Sequence, residues 1–407
     1  MYDVIVVGGG AAGMMCAITA AELGAHVAIA EKNDRLGRKL AITGKGRCNV
    51  CNNSDNETIM NNIPRNARFL YSALSQFSSQ DVMEFFERIG VPLKTERGNR
   101  VFPVSDKAGD VVEALKKKLR ELNVDILREN CTSLIIEDGE CRGIVTKKRK
   151  LEAGAVVLAT GGKSYPVTGS DGYGYKLAQK AGHTIIPPEP SLSALTTVQK
   201  WTISAAGLDL RNISMQLMDN GKCIYEDFGE LMFTASGISG PTVLSASAHI
   251  PKMEKGRYSV RIDLKPALSE KQLDARILRD FDARRGGAFC DSLRGLLPAQ
   301  LVPVVVELSG ISPEKRVDEI SKEERKTLGG ILKGLTLDIS GFRPIEEAII
   351  TRGGVSVKEI SPKTMESRLC RHLFFAGEII DCDAYTGGFN LQIAFSTAYA
   401  AGISIFS

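Results

Sequence analysis

The order of apolar and polar positions along the chain predicts an α/β fold. Short apolar runs at residues 3–7, 26–30, 155–159 and 373–376 are typical of buried parallel strands. Residues 11–23, between the first two runs, are rich in alanine and predict a helix. The chain therefore opens with a strand–helix–strand unit.

The period of the pattern changes further along the chain. Residues 67–89 have a helical period. The Pro-Pro-Glu-Pro run at 187–190 predicts a stiff boundary. After it, alternation over residues 195–264 predicts antiparallel strands, and residues 269–335 are mostly helical in period. A last helix is predicted to start near Asn390.

Composition narrows the class of protein. The 407 residues are 43% hydrophobic and 25% charged, which excludes a disordered or collagen-like chain. Lysine and arginine total 52 against 48 acidic residues, and a net charge of +4 gives no case for nucleic acid or an anionic membrane as partner. No apolar run approaches the ~18 residues of a membrane span. Nine scattered cysteines and the lack of a signal-peptide pattern predict a cytoplasmic location.

A glycine motif joins the first predicted strand to the first helix. Gly8, Gly10 and Gly13 fit the pattern G-x-G-x-x-G. In that pattern the first glycine makes a tight turn, the second admits a pyrophosphate, and the third allows close packing of helix and strand. Ala11 and Ala12 belong to the helix amino terminus, whose free N–H groups bind phosphate.

An acidic residue strengthens this motif. Glu31 lies eighteen residues after Gly13, at the end of the second predicted strand. A carboxylate there accepts hydrogen bonds from an adenosine ribose and repels a 2′-phosphate, which disfavours NADP at this position. We therefore predict a dinucleotide site that includes Glu31 and Lys32, against the alternative of an ordinary glycine-rich turn.

Two later segments favour FAD over NAD. Residues 159–162 (Ala-Thr-Gly-Gly) and 375–378 (Phe-Ala-Gly-Glu) each end a predicted strand. They resemble the ATG and G-D motifs of flavoproteins with two dinucleotide-binding folds, with Glu378 in place of the commoner Asp. The amino terminus of the last helix would favour negative charge at the flavin pyrimidine edge. The predicted cofactor residues of these segments are Thr160, Gly161, Gly162, Gly377, Glu378, Gly388, Phe389, Asn390 and Leu391.

Four stretches make a family resemblance specific: residues 36–49, 228–234 with 237–241, 351–355 and 376–392. Through them the whole chain resembles the BaiN/RdsA-type family of NAD(P)/FAD-dependent oxidoreductases, some members of which are described as aminoacetone oxidases. The resemblance implies that the first stretch contacts the cofactor through Arg38, Lys39, Thr43, Gly44, Gly46, Arg47, Cys48 and Asn49.

The resemblance also implies the domain organisation. A Rossmann-like FAD-binding domain of the two-dinucleotide-binding-fold type would be built from both chain ends, residues 1–188 and 341–407. A β-rich domain (residues 189–266 with 333–340) and a small helical domain (residues 267–332) would be inserted in it.

The sequence Cys-Asn-Val-Cys at 48–51 is a C-x-x-C motif. As a redox dithiol it would exchange electrons with the flavin, and Arg47 and Lys45 would lower the pKa of a thiol. The family pattern has threonine in place of Cys51 and glycine in place of Lys45, which favours two free thiols instead. Neither a second C-x-x-C nor a nearby histidine pair completes a zinc site, so no metal is predicted.

The chemistry is predicted to be hydride transfer at the flavin, with the protein placing the substrate and supplying a proton. The catalytic candidates are Cys48, Tyr385 and Asp383, the last two as proton donors by position only. Arg47 and Arg100 are candidate anchors for an anionic group. Because the chain has one glycine-motif unit, we expect a nicotinamide donor, NAD(P)H, to bind transiently in the cleft between the FAD-binding and inserted domains.

Three activities stay open at this point. We favour NAD(P)H-dependent reduction of a C=C bond or ketone in a hydrophobic, steroid-like or bile-acid-like small molecule. The alternative is O₂-dependent oxidation of an amine of the aminoacetone type. An RNA-modifying flavoprotein is the third, motivated by basic runs at 116–118 and 147–150 and opposed by the low net charge. We thus expect a small-molecule substrate and no nucleic-acid or membrane partner.

Overall fold

The computed structural model describes residues 1–405, which fall into two compact units. One unit joins Met1–Ser191 to the carboxyl-terminal part from Pro344, and the other is Leu192–Arg343. The borders expected after residue 188 and before residue 341 fall close to these boundaries.

The first 191 residues form most of the first unit. Its strands there are β1 (Tyr2–Val7), β2 (Val27–Ala30), β3 (Cys51–Asn52), β4 (Leu93–Glu96), β5 (Arg100–Pro103), β6 (Asp125–Leu127), β7 (Cys131–Glu137), β8 (Glu140–Thr146), β9 (Lys150–Leu158) and β10 (Ile185–Ser191). The helices are α1 (Ala11–Glu22), α2 (Asn56–Asn61), α3 (Ala67–Gln76), α4 (Ser79–Arg88), α5 (Ala108–Glu121) and α6 (Tyr173–Lys180).

The second unit and the end of the first follow along the chain. The second unit contains β11 (Leu195–Thr197), β12 (Asp209–Asp219), β13 (Lys222–Thr234), β14 (Gly237–Ser239), α7 (Pro241–Ser247), β15 (Tyr258–Asp263), α8 (Glu270–Asp282), α9 (Phe289–Ser292), α10 (Val302–Ser309), α11 (Lys322–Lys333) and β16 (Leu335–Phe342). The chain then returns to the first unit with β17 (Ile350–Val355), β18 (Leu373–Phe375) and α12 (Phe389–Ser404).

The main sheet of the first unit has the order β6-β2-β1-β9-β8-β7, and β18 pairs with the carboxyl-terminal part of β9. Strands β6, β2, β1, β9 and β18 run parallel. Along β9, residues 150–154 alternate between exposed and buried where β8 pairs antiparallel, whereas residues 155–158 are all buried. The burial pattern changes along β9 because the part of the strand in the parallel sheet is covered on both faces. The predicted Rossmann-like fold is confirmed.

The segment predicted as one helix over residues 67–89 is two helices. Helix α3 ends at Gln76, and Ser78 starts α4 with a capping box: its hydroxyl accepts from the Asp81 N–H while the Asp81 carboxylate accepts from the Ser78 N–H. This local pair satisfies the free N–H groups of a new helix start, which outweighs the continuous apolar period.

The proline run predicted as a boundary lies inside a strand. Residues 187–190 belong to β10, which pairs antiparallel with β17 around a register shift between Ile186 and Glu189. A two-stranded sheet with a bulge tolerates proline because its strands are edges and do not need every N–H.

Strands β11–β16 of the second unit close into a barrel in the order β11-β14-β13-β12-β15-β16. Helices α8–α11 share one hydrophobic core with it, in which Leu273 and Leu328 of the helices join Met215, Val260 and Leu337 of the barrel. The β-rich and helical parts, predicted as separate domains, are therefore one compact unit. Within residues 1–405, none of the helices has both the length and the apolar character needed to cross a membrane.

Candidate functional site

A cavity in the first unit is lined by residues from both ends of the chain. Residues 8–12, which form the turn after β1 and the start of α1, make up one part of its wall. Glu378, Asn390 and Leu391, from the segment around the start of α12, form another. Residues 159–161, at the end of β9, lie between them in the sheet because β9 pairs with both β1 and β18. The amino-terminal glycine turn and the carboxyl-terminal loop thus meet at one site.

Each glycine of the turn is required at its position for a different geometric reason. Gly8 has φ of 106°, and a Cβ there would lie 2.5 Å from the Ala159 carbonyl oxygen. A Cβ on Gly13 would overlap the carbonyl of Gly8, so this glycine sets the approach of α1 to β1. A Cβ on Gly10 would meet no described protein atom within 4 Å and would instead occupy the cavity. Gly10 therefore leaves room for a ligand.

The wall beside Gly10 is electropositive. Gly10 starts α1 without a side-chain cap, and no acidic residue lies in the first turn, so the helix N–H groups face the cavity unneutralised. Arg35 and Arg38 also line the cavity, and neither is paired with a carboxylate in residues 1–405; Arg38 donates to Asn33 Oδ1 at 3.0 Å. This arrangement suits a pyrophosphate.

Glu31 lies at the end of β2 and lines the same cavity. Its carboxylate accepts the Gly9 N–H at 2.7 Å on one oxygen, and the Asn33 N–H and Nδ2 at 2.8 and 2.7 Å on the other. The carboxylate is thus fixed beside the glycine turn, where an adenosine ribose would lie.

Glu378 joins three parts of the first unit. Its carboxylate accepts from Lys39 Nζ at 2.7 Å, from the Thr351 N–H at 2.9 Å and from the Ser164 hydroxyl at 3.1 Å. The Lys39 ammonium also donates to Ser164 Oγ at 2.7 Å. Three donors orient the carboxylate of Glu378 at the cavity wall.

A second helix amino terminus reaches the cavity. Gly388 has φ of 99° and starts α12 without a side-chain cap, and a Cβ there would overlap the Cys51 carbonyl. Asn390 orders the preceding loop, because its amide accepts the Ala384 N–H at 2.9 Å and donates to the Ala384 carbonyl at 2.7 Å. The first turn of α12 therefore presents N–H groups and partial positive charge.

Two hydroxyls in the wall have no protein partner. Thr160 Oγ1 and Ser170 Oγ are buried and form no hydrogen bond within residues 1–405, and both residues belong to the cavity lining. Buried polar groups are normally satisfied, so these two point to a ligand that supplies their partners. Together with the two helix termini, the free arginines and Glu31, they fit FAD, which carries a pyrophosphate and many hydroxyl groups.

The predicted cofactor residues divide into two sets. Those that line the cavity are Gly8, Gly10, Ala11, Ala12, Glu31, Lys32, Arg38, Lys39, Thr43, Thr160, Gly161, Glu378, Asn390 and Leu391. Those outside its lining are Gly13, Gly44, Gly46, Arg47, Cys48, Asn49, Gly162, Gly377, Gly388 and Phe389. Several of the second set shape the wall indirectly: a Cβ on Gly377 would lie 2.8 Å from the Ala12 Cβ, so this glycine brings the Glu378 loop against α1.

Sequence reasoning missed part of the wall. Asn130 and Cys131 line the cavity because β6 pairs parallel with β2, and the Glu31 N–H donates to the Leu127 carbonyl at 2.9 Å. Strand β6 has only three residues, none of them buried, so it gave no apolar signal. Arg35, Ser170 and Asp171 were also missed. The signal that could have found these three residues is that they lie near the predicted glycine loops in the sequence.

The contacts of Arg47 do not support the hypothesis that it lowers the pKa of a thiol. Its guanidinium donates to the carboxylates of Glu96 and Asp106, at 2.5 Å each, and lies 4.1 Å from the centre of the Phe102 ring. These partners also occupy the groups with which Arg47 would anchor an anion. Arg100, the other anchor candidate, is exposed on β5 and donates to the Arg97 carbonyl.

Cys48 and Cys51 are buried free thiols outside the cavity lining. Burial raises the pKa of each to about 12, so both are protonated at neutral pH. A thiol in that state is a poor nucleophile and a poor redox partner. The structure therefore favours two structural thiols over a redox dithiol, and a catalytic role for Cys48 stays a prediction.

The proton-donor candidates also lie outside the cavity lining. Asp383 is 1% exposed, accepts the Ser191 hydroxyl at 2.6 Å and forms an ion pair with Arg65. The Tyr385 N–H donates to the Asn62 carbonyl at 3.0 Å, and burial raises the pKa of its phenol. Asp383 thus fixes the loop before α12 rather than facing a ligand in the cavity.

Comparison with known proteins gives related chains along the full length. Residues 2–404 match the family described as HI0933-like protein Rossmann domain. The chain is 33% identical over 410 residues to the 3-dehydro-bile acid delta(4,6)-reductase of Clostridium scindens, covering 99% of this chain and 98% of that protein. It is 31% identical over 405 residues to the ribosomal RNA dihydrouridine synthase of Haemophilus influenzae, covering 98% of each.

A solved structure shares the fold. The 3-ketosteroid-delta4-(5alpha)-dehydrogenase from Rhodococcus jostii RHA1, in complex with 4-androstene-3,17-dione, is similar with a TM-score of 0.53 and 16% identity. The alignment covers 99% of this chain and 96% of that one.

Proposed function

Since the chain belongs to the HI0933-like Rossmann-domain family, a family of FAD-binding oxidoreductases, we propose that it is an FAD-dependent reductase of a carbon–carbon double bond conjugated to a carbonyl, with NAD(P)H as donor. The resemblance to BaiN/RdsA-type proteins is confirmed, and the protein is an enzyme of the flavin oxidoreductase type. One observation carries the proposal: a single cavity is lined by the amino-terminal glycine turn and by the residues that begin α12.

The residues of the cavity have separable roles in this proposal. The N–H groups of α1 and the Arg38 guanidinium hold the pyrophosphate, and Glu31 accepts from the adenosine ribose. Lys39 orients the Glu378 carboxylate toward the ribityl chain. The amino terminus of α12 favours negative charge at its end of the cavity. FAD, when bound, supplies hydride transfer through its flavin ring.

The reaction class rests on the names of two relatives. A delta(4,6)-reductase of a 3-dehydro-bile acid saturates double bonds conjugated to a 3-keto group. Dihydrouridine is uridine with a saturated double bond that was conjugated to a ring carbonyl. Both products form by adding hydride and a proton across such a bond. We therefore assign this shared chemistry and not a ketone reduction.

We favour a hydrophobic small molecule as the substrate. The basic run at 116–118 is neutralised, since Lys116, Lys117 and Lys118 each pair with a glutamate. Residues 267–332 carry eleven basic and eleven acidic residues, so this part of the second unit has no excess positive charge for a phosphate backbone. A cytoplasmic location and a small-molecule partner stay predictions.

A uracil ring in ribosomal RNA is the second candidate substrate. It is favoured by the 31% identity to the Haemophilus influenzae synthase along nearly the whole chain. An RNA substrate would find one exposed basic run, at 147–150, where Arg149 pairs with Glu129, and would otherwise be bound through shape and scattered contacts. Amine oxidation of the aminoacetone type remains an alternative, and neither of the two relatives described above is named for it.

Anaerobic reduction separates these activities. The purified holoprotein is mixed with NADH or NADPH while the flavin absorbance is followed, and then with a 3-keto-4,6-diene steroid or an unmodified ribosomal RNA fragment. Bleaching by the nicotinamide followed by recovery with the steroid is the expected result. Recovery with RNA alone assigns the second candidate. Bleaching by aminoacetone without a nicotinamide, or a protein that takes up no FAD, contradicts the proposal.

A further inference from the structure

A short segment covers one end of the cavity. Residues 168–173, which we call the strap, run from Thr168 to Tyr173 at the start of α6. Five strap residues belong to the cavity wall already described: Thr168, Gly169, Ser170, Asp171 and Tyr173. They lie beside Lys32 and Asn33, next to Glu31. The covered end is the one where Glu31 would meet the adenosine ribose.

The strap is tied to the rest of the unit at four points, one of which is the Gly172 N–H donating to the Gly162 carbonyl at 3.0 Å. Asn33 Nδ2 donates to the Thr168 carbonyl at 3.2 Å. Lys32 Nζ forms an ion pair with Asp171 Oδ2 at 2.7 Å, and both side chains are partly exposed. Tyr173 Oη donates to the carbonyl of Thr132 in β7 at 2.8 Å. Its middle is held by that backbone hydrogen bond and by the partly exposed ion pair, and only the ion pair is sensitive to salt.

The strap also carries an unsatisfied group. Ser170 is 5% exposed, its hydroxyl has no hydrogen-bond partner within residues 1–405, and it lines the cavity. A Cβ on Gly161 would lie 2.7 Å from Ser170 Oγ, so the chain is pressed close to the end of β9 at this point. A hydroxyl that is buried without a hydrogen-bond partner lowers the stability of the protein when no ligand is bound.

We propose that the strap retains the bound dinucleotide: Ser170 hydrogen-bonds its adenosine half directly, and the Lys32–Asp171 ion pair latches the strap over it. This inference rests on the proposed function, because it takes FAD as the ligand. It adds a binding residue and a latch that neither the glycine motif nor the two strand-end motifs predict. Release of FAD then requires the strap to open.

Ser170→Ala tests the direct contact. The apoprotein should unfold at the same or a higher temperature, because the variant removes a buried group without a partner. The holoprotein should release FAD about three- to tenfold faster, the range that loss of one hydrogen bond gives. Release is followed by the rise of flavin fluorescence after dilution. An unchanged release rate, or an apoprotein destabilised as much as the holoprotein, overturns the role of Ser170.

Lys32→Met and Asp171→Asn test the latch. In the wild type Asp171 Oδ1 accepts the Tyr173 N–H at 3.0 Å, and asparagine keeps that acceptor oxygen, so α6 keeps its start. FAD release from the wild type should quicken with salt, and each variant should be several-fold faster at low salt and nearly independent of salt. The matched control is Lys180→Met, an exposed lysine at the end of the same helix.

The outcomes distinguish the two proposals. A double variant no faster than either single variant supports a latch formed by that pair. Equal release rates and salt dependence in all variants and in the wild type overturn the latch while leaving the FAD site intact. A wild type that binds no FAD overturns the proposed function itself.

Discussion

Lys39 and Glu378 come from opposite ends of the chain and meet at 2.7 Å between Nζ and Oε2. Their side chains are 24% and 13% exposed, and the pair closes the cavity wall between the glycine-turn side and the start of α12. The contact joins two segments that are more than three hundred residues apart in the sequence into one coenzyme site. It is also the contact most open to a direct test.

Lys39→Met should weaken both folding and coenzyme binding. The variant leaves the Glu378 carboxylate with the Thr351 N–H and the Ser164 hydroxyl but without its cation. We expect a loss of about 1.5–3 kcal/mol in the free energy of unfolding of the apoprotein, the range for hydrogen bonds to charged groups. Urea unfolding measures it.

Glu378→Gln completes the cycle for this pair. If the interaction is specific, Lys39→Met should cost much less in the Glu378→Gln background than in the wild type. Additive losses in the double variant would show that the two residues act independently.

Gly10→Ala and Gly13→Ala should impair different properties of the protein, namely FAD binding and stability. A methyl group at Gly10 meets open cavity, so the apoprotein should keep its stability while FAD binding falls by at least tenfold. A methyl group at Gly13 overlaps the Gly8 carbonyl and forces α1 away from β1, which should destabilise the apoprotein itself. Thermal unfolding of the apoproteins and FAD titration separate the two effects. Equal destabilisation by both variants would contradict the placement of the cavity at Gly10.

The contrast between these glycines also shows what sequence could predict. The parallel strands and α1 were predictable because burial on both faces leaves continuous apolar runs such as residues 155–158. The glycine motif followed from its spacing. The wall formed by Asn130 and Cys131 was not predictable, because the three residues of β6 are held by pairing with β2 and leave no apolar pattern.

Charge pairing was the main source of error at the site. A sequence does not show that Arg47 is surrounded by Glu96 and Asp106, which come from β4 and from the turn after β5. Nor does it show that Asp383 meets Arg65 from a segment more than three hundred residues earlier. Both errors have the same cause: a titratable side chain takes its role from partners distant in sequence.

Thiol labelling should distinguish the cysteines. Burial raises the pKa of Cys48 and Cys51 to about 12, whereas Cys223 is exposed. In the native protein near neutral pH, iodoacetamide should modify Cys223 and leave Cys48 and Cys51 unmodified, as read by peptide mass spectrometry. Labelling in denaturant is the control, because all three should then react. Rapid native labelling of Cys48 would restore the redox-dithiol hypothesis.

Acid should weaken the contact between Arg47 and its two carboxylates. Hydrogen bonds from Arg47 lower the pKa of Glu96, and those from Lys94 and Arg47 lower the pKa of Asp106. A lowered folded-state pKa contributes stability that is present above the unfolded-state value and is lost as the pH falls through the folded-state value. Arg47→Met should therefore lower stability near pH 7 and narrow the difference in stability between neutral and acidic pH. Urea unfolding across that pH range measures both, and an unchanged pH dependence would contradict the pairing.

Lys45→Gly should stabilise the protein. Lys45 has φ of 56° and ψ of 39°, is exposed, and follows Gly44 in the same left-handed conformation. A non-glycine residue pays about 1–2 kcal/mol there, and glycine loses about 0.5–1 kcal/mol more backbone entropy on folding, so a net gain of about 0.5–1 kcal/mol is expected. The control is Lys176→Gly in the middle of α6, where φ is helical and glycine should cost about 1 kcal/mol. Opposite signs in urea unfolding support the left-handed loop, whereas losses in both variants would mean that Lys45 does not adopt that conformation in solution.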